Sequence, residues 1–209
     1  MKVLLLHAWP LDERMWEPQL PGLREAGFEP LAPRLYGRGP SIEGWAAQLL
    51  AEVEGPFVAV GASMGGYTAL ALARRAPERV VGMALVGSRA DADSSARRRL
   101  REQRIAALRA GEAPPEAAPG VSLEELAVAQ EAIRDRPDAS GVLRAFGGPL
   151  LVCVGDRDEL VSVDEAREIA AAALRGALEV FPGAGHLPSV EQPERFTAVL
   201  LTFLEQWAT

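Results

Sequence analysis

The chain has 209 residues, 48% hydrophobic and 24% charged, with 29 acidic against 22 basic residues and a formal charge of −7 at pH 7. These values suit one domain of moderate size with a sizeable core, and the acidic balance excludes the basic face that nucleic-acid binding needs. No apolar run nears the roughly 20 residues that cross a bilayer, and the apolar run after Lys2 is too short for a secretory signal, so a cytoplasmic location and no membrane partner are expected.

Lys2–Leu6 is a continuous apolar, β-favouring run that predicts a strand covered on both faces. His7-Ala8-Trp9-Pro10 follows, and Pro10 keeps Trp9 out of helical conformation, so backbone amides can point outward at the strand's C-terminal edge. Residues 11–27 carry Met15, Trp16, Leu20 and Leu23 at loose helical spacing up to a glycine stop, and residues 28–32 read as a second strand weakened by Pro30. A Pro- and Gly-rich loop at 33–41 precedes a helix through Trp45, Leu49, Leu50 and Val53. A short strand at 57–60 then enters Gly61-Ala62-Ser63-Met64-Gly65, followed by a helix over 67–75 and a fourth strand at 80–86. This alternation predicts a parallel sheet with helices on both faces. From Gly87 to Gly148 the rhythm breaks into helical patterns at 94–110 and 122–136 around a flexible 111–120. It resumes with a strand at 149–154, a helix at 163–174, a strand at 177–181 and an amphipathic helix at 193–207. The expected organisation is an α/β core from residues 1–88 and 148–209, interrupted by an insertion at 89–147.

The stretch around Ser63 reads as a nucleophile elbow, in which a chain leaving a buried strand turns sharply into a helix and holds its middle residue in a strained conformation. Gly61 and Gly65 fit a turn whose flanks pass too close for side chains, and Gly66 eases the same crowding. A serine hydroxyl needs a base to take its proton. His186, in the loop after the last strand, reaches the same sheet edge, whereas His7 reads as a structural group binding loop backbone. Gly155-Asp156-Arg157-Asp158 supplies acids to orient that base, in the chain order Ser, Asp, His that accompanies such an elbow. Asp158 is better placed to reach a neighbouring loop, while Asp156 is suited to capping its own turn; Asp91 and Asp93 are outsiders for the same role. The amide of Met64, at a helix start, is the first candidate donor to an oxyanion, and the amide of Trp9 the second. The cluster Arg97, Arg98, Arg99, Arg101 and Arg104 reads as a solvated helix face, and Cys153, the one cysteine, as core packing.

With these residues placed, the chain resembles the α/β-hydrolase superfamily, in its small Ser-His-Asp branch of carboxylesterases, enol-lactonases and cofactor-free perhydrolases. The resemblance rests on His7-Ala8-Trp9-Pro10 as an oxyanion loop, Gly61 to Gly66 as the elbow, and Gly155 to Asp158 with Gly185-His186 and Glu191-Gln192-Pro193 as acid and base loops. It implies about six parallel strands without the family's two N-terminal ones, the strand at 28–32 at one edge and that at 177–181 at the other. It further implies a short helical cap at 89–147, Asp158 as the acid, and no cofactor or metal. Ala8 departs from the family's usual glycine, and Arg34 and Tyr36 stand where an aspartate and a proline are frequent. Trp9, Leu11, Met64, Leu160, Val161 and Leu187 are the candidate pocket lining. With no cation outside the insertion aimed at an acyl carboxylate, small to medium neutral esters are expected. Lactone or C–C bond hydrolysis by the same groups is the alternative within this class, and a non-catalytic ligand receptor or signalling partner the alternative outside it. The expected assembly is a monomer or homodimer.

Overall fold

The computed structural model describes residues 1–207. Six strands form one wholly parallel sheet: β1 Lys2–Leu6, β2 Glu29–Leu31, β3 Phe57–Ala62, β4 Val80–Val86, β5 Leu150–Gly155 and β6 Gly176–Phe181. Their order is β2-β1-β3-β4-β5-β6, so β2 and β6 are the edges, as the resemblance implies. Between β3 and β4 the register shifts by one residue at Phe57/Val58, and beyond it Leu6 lies opposite Gly61, Ala62 opposite Val86 and Val86 opposite Cys153, which brings several strand ends to one C-terminal edge.

The helices are α1 Leu20–Glu25, α2 Ile42–Glu52, α3 Met64–Arg75, α4 Ser95–Arg109, α5 Leu123–Arg134, α6 Ser140–Ala145, α7 Val163–Ala172, α8 Pro188–Glu191 and α9 Pro193–Leu204. Serines start four of them: Ser41, Ser94, Ser122 and Ser162 each accept a backbone N–H of the first turn. Ser122 with Glu125, and Ser162 with Glu165, complete reciprocal capping boxes. None of the described helices is long and apolar enough to cross a membrane.

Side-chain alternation along the strands divides the core into two layers. Leu4, Leu6 and Ala59 face α2, α3 and α7 through Trp45, Leu49, Leu70 and Ala166. Val3, Leu5, Val58, Val60 and Cys153 face α1 and α9 through Leu23, Phe196, Leu200 and Leu204. Both faces are therefore covered, which explains why the strands read as unbroken apolar runs. Beyond α9 a tight turn, Glu205–Trp207, lays the Trp207 indole against β4, where a Cβ on Gly82 would come within 2.4 Å of the ring.

The stretch 11–27, read as loosely helical throughout, is broken into a 3-10 turn at Glu13–Trp16 and the short α1, because Pro18 and Pro21 cannot continue a helix. The terminal helix ends at Leu204 rather than continuing to Trp207. Between β4 and β5 lie α4, α5 and the short α6, and α4 packs along α5.

Candidate active site

β3 ends at Ala62, and Ser63 occupies the turn into α3 with φ 48° and ψ −107°, the one non-glycine positive φ among the described residues. The surrounding glycines account for that geometry. A Cβ on Gly61 would lie 2.3 Å from the Gly65 carbonyl oxygen, and one on Gly65 would lie 2.0 Å from the Leu6 carbonyl oxygen of β1. The Ser63 N–H donates to the Val86 carbonyl at 2.8 Å, fastening the turn to β4. Met64, at the first position of α3, and Trp9 both leave their backbone N–H groups without an acceptor among the described residues.

His186 follows β6 in the loop before α8, and Asp158 follows β5. The carboxylate of Asp158, with 0% of its side chain exposed, lies 2.9 Å through Oδ2 and 3.1 Å through Oδ1 from His186 Nδ1. An ionised carboxylate can only accept, so Nδ1 carries a proton, and in the neutral imidazole the lone pair falls on Nε2. Nε2 is buried and has no partner among the described residues, and no hydrogen bond joins it to Ser63. Burial alone would raise the Asp158 pKa. The hydrogen bond and charge of His186, with N–H bonds from Val161 and Leu160, outweigh that and hold it below the ordinary carboxylate value.

The structure separates the two aspartates of this loop. Asp156 does not cap its own turn; it accepts the Gly183 N–H at 2.7 Å and so ties the loop after β5 to the loop after β6. Nor do Asp91 and Asp93 reach His186: Asp91 pairs with Arg97 at 2.7 Å, and Asp93 with Arg101 at 2.9 Å and Arg136 at 2.8 Å. The arginine cluster is accordingly more than a solvated face, since Arg97, Arg98 and Arg101 all hold acids.

Two contributors, Gly87 and Ser88, carry no role in the sequence reading, and a third, Glu191, enters it only within the base loop of the resemblance. Gly87, at φ 54°, leaves room for His186, whose Cε1 and Nδ1 would lie 3.0 Å from a Cβ there. Ser88 donates to the Ser63 carbonyl at 3.2 Å, so the dipeptide after β4 touches both Ser63 and His186. Glu191 accepts the N–H groups of Gly185 at 2.6 Å and Leu187 at 2.9 Å, clamping the loop on either side of the histidine. A glycine closing an apolar strand and an acid five residues after a loop histidine are the sequence signals for these groups.

The loop after β1 is fixed by His7, which is fully buried. Its Nε2 accepts the Leu35 N–H at 3.0 Å, so the proton sits on Nδ1, which donates to the Ala8 carbonyl at 3.1 Å. Desolvation lowers the His7 pKa to about 4. Tyr36 donates to the Leu11 carbonyl at 2.7 Å, and Arg34 pairs with Glu125 of α5 at 3.0 Å, so both departures from the family pattern bind neighbouring segments. Of the candidate pocket residues, the side chains of Met64 and Val161 are buried in the core, Trp9, Leu11 and Leu187 are half-buried, and Leu160 is 56% exposed.

Residues 3–199 match the alpha/beta hydrolase family, and the chain belongs to that family. A thermophilic esterase from Thermogutta terrifontis, solved with malate bound, superimposes with a TM-score of 0.91 at 29% identity, over 100% of this chain and 91% of that one. The enol-lactonase of Burkholderia xenovorans LB400 shares the fold, with a TM-score of 0.82 at 23% identity over 97% of this chain and 90% of that one. A pimeloyl-[acyl-carrier protein] methyl ester esterase from Aromatoleum aromaticum is 39% identical over 92 residues, 41% of this chain and 36% of that protein. The biotin biosynthesis bifunctional protein BioHC of Cellvibrio japonicus is 25% identical over 99% of this chain and 48% of its own length. The chain thus spans about half or less of the length of these curated relatives.

Proposed function

We propose that the protein is a serine hydrolase that cleaves small to medium carboxylic esters through an acyl-enzyme. Ser63 attacks the ester carbonyl as its proton passes to His186 Nε2. Asp158 holds the imidazole in the tautomer that can accept that proton and stabilises the imidazolium. The amides of Met64 and Trp9 donate to the oxyanion of the tetrahedral intermediate, helped by the N-terminal end of α3. His186 then returns the proton to the leaving alcohol, and water, activated by the same base, releases the acid.

The observation that carries this reading is the Asp158–His186 pair, which leaves Nε2 buried and unpartnered in a ring that packs beside Gly87, next to the Ser88 that bonds the Ser63 carbonyl. The fold shared with named esterases supports it. Lactone and C–C bond cleavage would use the same three groups.

A fluorophosphonate that phosphonylates activated serines tests the nucleophile directly, and a panel of p-nitrophenyl esters and lactones tests the substrate class. Labelling is expected at Ser63, and Ser63→Ala is expected to lose both labelling and turnover. Turnover retained in Ser63→Ala would overturn the assignment, and tight ligand binding without labelling would favour the receptor instead.

A further inference from the structure

Arg97, Arg101 and Arg104 recur at i, i+4 and i+7 along α4 and so share one face of the helix. Arg97 is neutralised by Asp91 and Arg101 by Asp93, with Gln130 also accepting from Arg101 at 3.0 Å. Arg104, the third, has no hydrogen bond and no carboxylate within 4 Å among the described residues. Its guanidinium carbon lies 5.0 Å from the centroid of the Trp9 ring. That ring is itself held, since Trp9 Nε1 donates to the Leu126 carbonyl of α5 at 3.2 Å. Trp9 is also the residue whose free amide follows β1 at the sheet edge of Ser63.

We propose that Arg104 reads a carboxylate on the substrate, so that the enzyme prefers half-esters of dicarboxylic acids to neutral esters of the same length. The proposal rests on the esterase reading and changes its expected substrate from neutral to anionic. A cation over an aromatic face keeps its N–H donors for a further ligand, and a guanidinium matches a carboxylate through two parallel hydrogen bonds. Its position is also set in part in advance by the Trp9 ring beneath it, which reduces the ordering cost of binding. The Arg104 side chain is accessible to solvent. The protein around it and the neighbouring Arg101 charge nonetheless act against its own charge, with Glu116 a weaker opposing influence, so an arriving anion meets an uncompensated cation.

The test compares monomethyl adipate with methyl hexanoate, alongside calorimetric titration of adipate, in the full wild-type chain and in Arg104→Gln and Arg104→Lys. Wild type is expected to favour the half-ester in kcat/KM. Arg104→Gln should reduce the ratio between the two esters by about tenfold to a hundredfold, chiefly through KM, with a parallel weakening of adipate binding. Arg104→Lys should restore part of the ratio, and added salt should shrink it in wild type. Equal loss on both esters in Arg104→Gln, or a wild type with no preference, would overturn the anion site while leaving the esterase reading intact. Adipate binding that depends on Arg104, with neither ester cleaved, would keep the site and sink the esterase reading.

Discussion

His7 shows how a group outside the proposed chemistry sets a condition on the site. It is buried and neutral, bonded at both ring nitrogens, with a pKa lowered from 6.5 to about 4 by desolvation. In the unfolded chain the imidazole takes its proton near 6.5, so between about pH 6.5 and 4 the unfolded state binds more protons than the folded one. Stability from this group is complete above 6.5 and drains away as pH falls toward 4, by roughly 3 kcal/mol in all. Urea unfolding across this range should show that slope in wild type and a flatter one in His7→Asn, which starts from a lower stability at pH 7. An identical slope in both proteins would contradict this account. The residue types at the candidate site are legible because each follows a strand end marked by glycine: Ser63, Asp158 and His186. What separates Asp158 from Asp156 is a tertiary fact, since one carboxylate meets His186 and the other the Gly183 amide. Arg104 is equally hidden in the sequence, because only the folded partners of its neighbours leave it unpaired.

At the scale of elements, the turn between β3 and α3 depends on backbone passing backbone. Gly65→Ala places a methyl group 2.0 Å from the Leu6 carbonyl oxygen, where no flexible side chain can yield. It is expected to destabilise the protein by about 3 kcal/mol or more, and to reduce soluble yield, where Ser63→Ala does neither. Thermal melts of the two variants side by side check this. The helices between β4 and β5 are fastened by Asp93, whose side chain is 1% exposed and lies against Arg101 and Arg136. Burial alone would raise its pKa, but the two guanidinium groups hold it below the ordinary 3.8. The stability it supplies is present above pH 3.8 and is lost as pH falls through the lowered value. Asp93→Asn should cost about 3–5 kcal/mol at pH 7, because it leaves two cations uncompensated. The gap to wild type should narrow below pH 3.8, which denaturation at pH 7 and pH 3 would show. Long elements such as α4 and α5 are visible in sequence through their periodicity. The 3-10 turn at Glu13–Trp16 and α6 are too short to show one, and prolines interrupt the stretch around the former.

Across the whole molecule, the parallel sheet follows from the alternation of strand and helix, its edge strands are those the family resemblance implies, and the two-layer core follows from period-two burial along the strands. Which helices share a layer is less apparent, since α1 meets α9, an element from the other end of the chain. That pairing governs the order in which the protein can be finished during synthesis. On one face, α2 and α3 can close over β1 and β3 as soon as the first 75 residues emerge, and α7 joins that layer later. Opposite it, Val3, Leu5 and Val60 have only the early Trp16 and Leu23 for cover until α9 leaves the ribosome, and Gly82 waits for Trp207, 125 positions later (207 − 82). A nascent chain stalled before Pro193 therefore carries a half-clothed sheet, the form most open to chaperones and to self-association.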